Sequence, residues 1–141
     1  MSMIEDAAQE AGFGVFAEAL RASPYGDVLD GGGPYTVFAP TDAAFAAFSR
    51  VPPEQLLHGD EVLMRRVIGY HFAVGKVMTR RFKGARIRAT MYAGGHVIID
   101  GRNGLRVNAA NLVQPDIVVG ACVLHGIDEV LWPREPAMAA S

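Results

Sequence analysis

The chain has 141 residues, of which half are hydrophobic and a fifth are charged, and its formal net charge is −2. This length fits one domain, because a chain of this size buries roughly two-thirds of the surface that its unfolded form exposes. The composition excludes a disordered chain, and no apolar run approaches the roughly 20 residues of a membrane-spanning helix. The N-terminus carries acids where a secretory signal carries positive charge, so we predict no signal peptide here.

The first 33 residues are predicted to be mainly helical. Apolar residues recur at helical spacing over residues 4–20, and Gly12 and Gly14 are expected to divide this stretch into two short helices. Residues 23–33 contain Pro24 and a run of three glycines, which predicts a loop with at most one helical turn at residues 27–29.

A strand and three further helices are predicted next. Residues 35–39 read as a short buried strand, after which Thr41 can cap a helix that begins at Asp42. Residues 52–57 predict another short helix, and Asp60 is a plausible cap for a third. The apolar stripe of that third helix is expected to comprise Val62, Leu63, Val67 and Ile68.

From Phe72 onward, alternation, β-branched residues and glycine turns replace the helical period. The predicted strands cover residues 85–90, 96–100, 105–108, 117–119 and 123–131. Helices that precede strands in this way favour an α+β domain with antiparallel sheets over a βαβ architecture. We expect one domain over residues 1–133 and a tail rich in proline and alanine over residues 134–141.

Three segments resemble the signatures of the fasciclin domain family. They are TVFAPTDAAFAAF at residues 36–48, RRVIGYHFAVGKV at residues 65–77 and QPDIVVGACVLHGIDEVLWP at residues 114–133. The resemblance implies a wedge-shaped fold, in which two antiparallel β-sheets pack at a steep angle with several short helices along one side. It also implies cell adhesion or protein interaction in an extracellular or periplasmic location, with the cytoplasm as the alternative.

The same resemblance assigns candidate residues. Structural motif positions are Thr41, Tyr70, His71 and His125, and candidate partner-binding positions are Pro115, Asp116 and Ile117. Two departures from the family pattern lie close to them. Gln114 replaces an acid and Val118 replaces a methionine beside the partner motif, and Ala121 and Cys122 stand where an Asn-Gly pair is usual before the last strand.

Histidine and cysteine are expected to serve structure here. Strict alternation places His125 on the core-facing side of its strand with Val123 and Ile127, and the imidazole of His71 is expected to tie a loop to residues 36–48. His58, His71, His96 and His125 occur singly, without metal-ligand spacing or a nucleophile motif, so we predict no enzyme, no metal and no cofactor. Cys122 is the only cysteine, and its apolar neighbours favour a buried, inert thiol.

The charges are strongly segregated along the chain. Residues 65–106 contain ten basic residues, opposed by Asp100 alone. Arg80, Arg81, Lys83, Arg86 and Arg88 form the densest part of this segment, and alternation places Arg86 and Arg88 on the face opposite Ile87. The segment is either a solvated face that pairs with the acidic helices or a site for an anionic partner.

Three functions remain open from the sequence. The first is an adhesion or protein-interaction module whose partner is a protein or a cell-surface or matrix component, and the second is a binder of acidic polysaccharide. Nucleic acid is disfavoured, because the net charge is negative and no aromatic stacking platform is visible. The third is a carrier of a small apolar ligand such as a pigment or lipid, with candidate lining residues Met64, Tyr70, Phe72, Met78, Phe82, Met91 and Tyr92. The oligomeric state stays open.

Overall fold

The computed structural model describes residues 3–48, 59 and 61–132. Within these residues no helix is both long enough and apolar enough to cross a bilayer. The elements in chain order are α1 (Met3–Glu10), α2 (Gly14–Arg21), α3 (Tyr25–Gly31), β1 (Tyr35–Pro40), α4 (Asp42–Ala47), α5 (Glu61–Gly69), β2 (Phe72–Val74), α6 (Thr79–Phe82), β3 (Arg86–Thr90), β4 (His96–Asp100), β5 (Arg106–Val107), β6 (Ala110–Val119) and β7 (Cys122–Ile127).

The N-terminal helices divide as predicted, but α3 is longer than the sequence indicates. Gly12 has φ +96° and separates α1 from α2. The predicted single turn at residues 27–29 is wrong in extent, because α3 runs over seven residues. Leu29 is buried in the core and Gly26 packs closely against the side chain of Glu5, so tertiary contacts override the low helix propensity of the glycines.

Helix α5 buries a narrower stripe than predicted. Val67 and Ile68 are fully buried, whereas Val62 is 70% exposed, so its predicted place on the apolar stripe is wrong. Val62 lies in the first turn of the helix and points away from the neighbouring elements. The predicted helix at residues 52–57, the cap at Asp60, His58 and the tail at residues 134–141 lie outside the described residues.

The strands lie in the predicted region but differ in length. β6 begins at Ala110, seven residues earlier than predicted, and β7 ends at Ile127, four residues earlier. The short elements β2 and α6 were not predicted, because three or four residues carry too little periodicity to identify an element. Gly120, with φ +58°, precedes Ala121 in the turn from β6 to β7 and supplies the left-handed conformation that the usual Asn-Gly pair would provide.

Seven strands form one continuous hydrogen-bonded order, β2-β1-β7-β6-β5-β4-β3. The fold is therefore α+β, but the sheet is mixed, because β1 and β7 run parallel, with Thr36 opposite Val123 and Pro40 opposite Ile127. The expectation of purely antiparallel sheets is wrong for this pair. The chain segment between β1 and β7 contains most of the molecule, and a connection of that length allows a parallel arrangement.

The two outer strands of this order approach each other. Ala73 in β2 forms an isolated antiparallel bridge with Met91, and the amide of Tyr92 donates to the carbonyl of Phe72 at 2.8 Å. The sheet thus curves until its edges touch at one point, and it encloses an apolar cluster. That second cluster comprises Phe38, Tyr70, Ala73, Phe82, Met91, Val97, Ile99, Val107, Ala110, Ile127 and Leu131. A first cluster lies between the sheet and the helices α1, α2 and α5.

Gly101 brings the end of β4 against the loop after α6. A Cβ at this position would lie 2.0 Å from the carbonyl oxygen of Phe82, which is backbone and cannot rotate away. The Gly101 amide also donates to Ala85 at 2.8 Å, and its carbonyl accepts from Gly84 at 2.8 Å. Only glycine fits this close approach.

We therefore expect Gly101→Ala to lower the free energy of unfolding by at least about 2 kcal/mol, since overpacking against backbone forces a local shift of the chain. Chemical denaturation measures the change. The matched control is Gly31→Ala in α3, where a Cβ meets nothing within 4 Å and φ is not positive. An equal free energy of unfolding for the two variants would contradict the close approach.

Candidate functional site

A bulge in β6 lies at the partner motif that the sequence identified. Gln114 pairs with Gly126 and Ile117 pairs with Leu124, so Pro115 and Asp116 together stand opposite the single residue His125. Asp116 has φ +61°, a conformation that aspartate tolerates better than most residues. Proline is acceptable at a bulge because its missing amide leaves no donor unpaired there.

The carboxylate of Asp116 caps helix α6. Oδ1 accepts from the Thr79 amide at 2.9 Å, and Oδ2 accepts from the Thr79 hydroxyl at 2.5 Å. Partial burial opposes ionisation, but these two hydrogen bonds outweigh it and hold the pKa of Asp116 below its ordinary value. The Asp116 side chain is one-third exposed. This residue of the partner motif therefore already forms hydrogen bonds within the domain and is only partly accessible to a partner. Sequence reasoning missed Thr79, which carries no periodic signal.

His125 is fully buried and hydrogen-bonded through both ring nitrogens. Nδ1 accepts from the Asp116 amide at 3.0 Å, so the proton is on Nε2, which donates to the Val77 carbonyl at 2.8 Å. The ring stacks on Phe38 with a centroid distance of 5.8 Å. Desolvation lowers the pKa of His125, and the structure requires the neutral form, because a protonated Nδ1 cannot accept the Asp116 amide.

His71 is also fully buried, but the hydrogen bonds of its imidazole do not go to residues 36–48 as predicted. Nδ1 donates to the Val67 carbonyl at 2.6 Å, and Nε2 accepts from the Leu131 amide at 2.9 Å. It is the backbone carbonyl of His71 that accepts from the Phe38 amide, at 2.7 Å. The imidazole therefore fastens the C-terminal segment to α5, and desolvation lowers its pKa to about 4.

The two remaining structural motif positions each make a specific bond. Thr41 Oγ1 accepts from the Ala44 amide at 3.0 Å, which caps α4. The Tyr70 hydroxyl donates to the His96 carbonyl at 2.6 Å and so ties the end of α5 to β4. Cys122 is buried, its thiol donates to the Leu29 carbonyl at 3.4 Å, and burial raises its pKa.

Side chains beside the bulge differ in exposure. Ile117 is half-buried and packs against the first cluster, whereas Pro115 is exposed. Val113 and Val118 are 52% and 54% exposed, and neither was singled out as a contact from the sequence. The bulge explains this, because the extra residue shifts which side chains face solvent, and strict alternation cannot anticipate such a shift.

The five residues that form the densest part of the basic segment are all exposed. Arg86 and Arg88 face solvent on β3, while Ile87 and Ala89 between them are half-buried. Among the described residues none of Arg80, Arg81, Lys83, Arg86 and Arg88 forms a salt bridge, whereas Arg102 pairs with Asp100 at 2.9 Å. The hydrogen bonds from Arg102 lower the pKa of Asp100 to about 2. The five residues therefore lie exposed on α6, on the loop that follows it and on β3, and we call them the exposed cationic surface.

A groove of about 590 Å³ lies between the two outer strands of the sheet. Its lining residues are Val74, Val77, Arg81, Ile87, Arg88, Ala89, Thr90, Met91 and Tyr92. Of the residues predicted to line an apolar ligand site, only Met91 and Tyr92 reach this groove. Met64, Tyr70, Phe72 and Phe82 are buried in the two apolar clusters, and Met78 is half-buried elsewhere.

The model of the Fasciclin domain family matches residues 11–133. The chain belongs to the fasciclin domain family. It is 32% identical to protein sll1735 of Synechocystis over 132 residues, which are 92% of this chain and 96% of that protein. It is 35% identical to the cell surface glycolipoprotein MPB83 of Mycobacterium bovis over 107 residues, which are 76% of this chain and 47% of that protein.

A solved structure supports the fold of this fasciclin domain. The FAS1 domain pair of the insect cell adhesion molecule fasciclin I superposes with a TM-score of 0.61 at 15% identity. The match covers 88% of this chain and 46% of the insect chain. In the described part of this fasciclin domain, no three His, Cys, Asp or Glu residues are arranged to hold a metal ion.

Both buried histidines of this fasciclin domain make its stability depend on pH. Their pKa values lie below the ordinary 6.5, so below pH 6.5 the unfolded chain binds more protons than the folded one, down to about pH 4 for His71. The stabilisation that the two neutral histidines contribute is fully present above pH 6.5. It is lost as the pH falls, by up to about 1.4 kcal/mol per pH unit for each histidine.

We expect chemical denaturation from pH 7.5 to 4.5 to show this decline, and His71→Gln to make it shallower. His71→Ala is expected to cost about 1–3 kcal/mol at neutral pH, because it leaves the Leu131 amide buried without an acceptor. The control is His96→Gln, since the His96 side chain is exposed on β4. A decline that His71→Gln leaves as steep as before would contradict the buried neutral form.

Proposed function

We propose that this fasciclin domain is a non-catalytic adhesion or protein-interaction module that works in an extracellular or periplasmic location. The observation that carries the proposal is membership of the family, together with relatives named as a cell surface glycolipoprotein and a cell adhesion molecule. The hydrogen bonds of His71, His125 and Asp116 support it. Each of these side chains is already used to hold the fold, which leaves exposed surfaces for function.

The bulge in β6 is the proposed contact surface for a protein partner. The candidate residues Pro115, Asp116 and Ile117 lie beside Val118, whose apolar side chain is 54% exposed. An exposed apolar anchor next to a partly exposed carboxylate suits a small, specific contact. Asp116 also holds α6, so its substitution changes the fold as well as the surface.

Adhesion is tested with beads that carry the protein, applied to beads of the same kind and to surfaces coated with matrix proteins. We expect retention above that of albumin-coated beads, and Val118→Ser to reduce it at least about tenfold if that side chain is an anchor. Val118→Ser should leave stability within about 0.5 kcal/mol, since the side chain is exposed. Val62→Ser on α5 is the matched control, being 70% exposed and far from the bulge in sequence.

A stability measurement beside the bead experiment distinguishes an effect on the contact surface from an effect on the fold. Asp116→Gly removes the cap of α6 while tolerating the positive φ, so it should lower stability whatever it does to adhesion. Retention no greater than that of albumin on every surface would contradict the proposal of an adhesion module. Equal retention of the parent, Val118→Ser and Ile117→Ala would contradict the bulge as the contact surface.

A second candidate function is binding of acidic polysaccharide through the exposed cationic surface. Arginine's planar fork suits sulfate and carboxylate groups, and none of the five basic residues forms a salt bridge within the described chain. Such contacts are exposed, so salt screens them over about 8 Å at physiological ionic strength. The binding is expected to be weak and sensitive to salt.

Retention on a heparin matrix across a salt series tests this candidate. We expect the variant Arg80→Glu, Arg81→Glu, Lys83→Glu to elute at lower salt than the parent, because it reverses three charges on this surface. A single-site comparison controls for net charge: Arg81→Glu should elute earlier than Arg65→Glu, an equal charge change on α5. Identical elution of the folded parent and triple variant would show that the surface is only solvated.

A further inference from the structure

We propose that the groove between β2 and β3 binds an extended peptide segment as an additional strand, and that this segment alternates acidic and apolar residues. The proposal deepens the protein-interaction function and rests on it. It concerns a different surface from the bulge in β6. Three features carry it: an unpaired backbone edge, two faces of opposite chemistry along β3, and arginines on both walls.

The backbone of β3 offers hydrogen bonds to the groove. The Gly101 amide donates to the carbonyl of Ala85 and the Met91 amide donates to the carbonyl of Gly95, so odd-numbered residues of this strand direct their backbone groups toward β4. The Tyr92 amide instead donates to Phe72 in β2. Alternation therefore directs the amide and carbonyl of Arg86 and Arg88 away from β4, and Arg88 lines the groove beyond the point at which β2 ends.

The side chains of β3 define the partner's chemistry. In a pair of strands, residues opposite each other share a face, and opposite charges in that position stabilise the pairing. Arg88 stands opposite Ile98 of β4, so a residue that pairs with Arg88 from the open side shares its exposed face and favours a carboxylate, whereas Arg86 already stands opposite Asp100. The next residue shares the face of Ile87 and Ala89, which line the groove and are half-buried, so it favours an apolar side chain.

The opposite wall repeats this combination. Val74 on this wall is 73% exposed and lines the groove together with Val77, and Tyr92, which follows β3, is 44% exposed at the same groove. Arg81 projects from α6 into the same groove and forms no salt bridge among the described residues. A strand inserted here would cover apolar surface on both sides and bring carboxylates to arginines on both walls.

The positive charge of β3 also determines which strands can pair with its open edge. Two copies of β3 that met edge to edge would bring arginine against arginine, so the strand disfavours pairing with itself. An acidic strand encounters no such repulsion and is attracted instead. The backbone edge favours a peptide over a lipid carboxylate, because only a peptide supplies donors and acceptors at the spacing of Arg86 and Arg88.

The test uses a short, fluorescently labelled peptide of alternating glutamate and valine, capped at both ends. Fluorescence anisotropy measures its affinity for the parent protein, and amide NMR shifts locate the site. We expect shifts at Val74, Arg86 and Arg88. A peptide of the same composition with the glutamates and valines in two blocks should bind at least about tenfold more weakly, because it cannot match both faces of β3.

Charge exchange gives the matched control. Arg88→Glu should weaken binding about tenfold or more and should allow binding of a peptide in which lysine replaces glutamate. Arg65→Glu makes the same change in net charge on α5 and should leave both affinities within about twofold. Both arginines are exposed, so we expect both variants to fold, and thermal unfolding checks this.

Backbone methylation separates strand pairing from simple charge attraction. Only alternate amides of an added strand face β3, so of two peptides N-methylated at the glutamates or at the valines, one should keep its affinity and the other lose it. Equal affinities of these two peptides would overturn the proposal. Binding of laurate in the groove without binding of the peptide would overturn it in favour of a lipid. Adhesion through the bulge in β6 would be unaffected by either result.

Discussion

The amide of Asp116 donates to Nδ1 of His125, and the carboxylate of the same residue accepts two hydrogen bonds from Thr79. One residue thus joins the bulge of β6, the buried strand β7 and the first turn of α6. β6 is the strand shared by the two halves of the sheet, since it pairs with β5 near one end and with β7 near the other. The position of α6, and with it that of Arg81 in the groove, depends on this contact.

The two buried histidines use a common arrangement in different places. Each donates to a backbone carbonyl through one ring nitrogen and accepts a backbone amide through the other. Neutral imidazole is the side chain that offers one donor and one acceptor at fixed positions in a rigid ring, so it can satisfy two backbone groups without a charge. In many enzymes this property suits histidine to catalysis. In this domain it stabilises a bulge and the C-terminal segment.

The sequence predicted the elements that have clear periodicity or a clear cap, such as the helices around Gly12, the capped helix α4 and the strand β4. It predicted the exposed side chains of β3 for the same reason. It did not predict the parallel pairing of β1 with β7, which depends on contacts between distant parts of the chain. Thr79 and Val118 were missed because a bulge and a four-residue helix leave no period. The imidazole of His71 was assigned the wrong partner because the bond between His71 and residues 36–48 is made by the His71 backbone carbonyl, which a sequence pattern does not distinguish from the side chain.

Cys122 is the only thiol of the chain, and the structure buries it beside Leu29 with a raised pKa. A thiol that is neither ionised nor accessible reacts slowly with alkylating reagents. A cysteine introduced at an exposed position would therefore be labelled selectively without removal of the native one. Pairs of spectroscopic probes can thus be placed at chosen exposed positions, one on each strand, and the separation between β2 and β3 becomes directly measurable in solution.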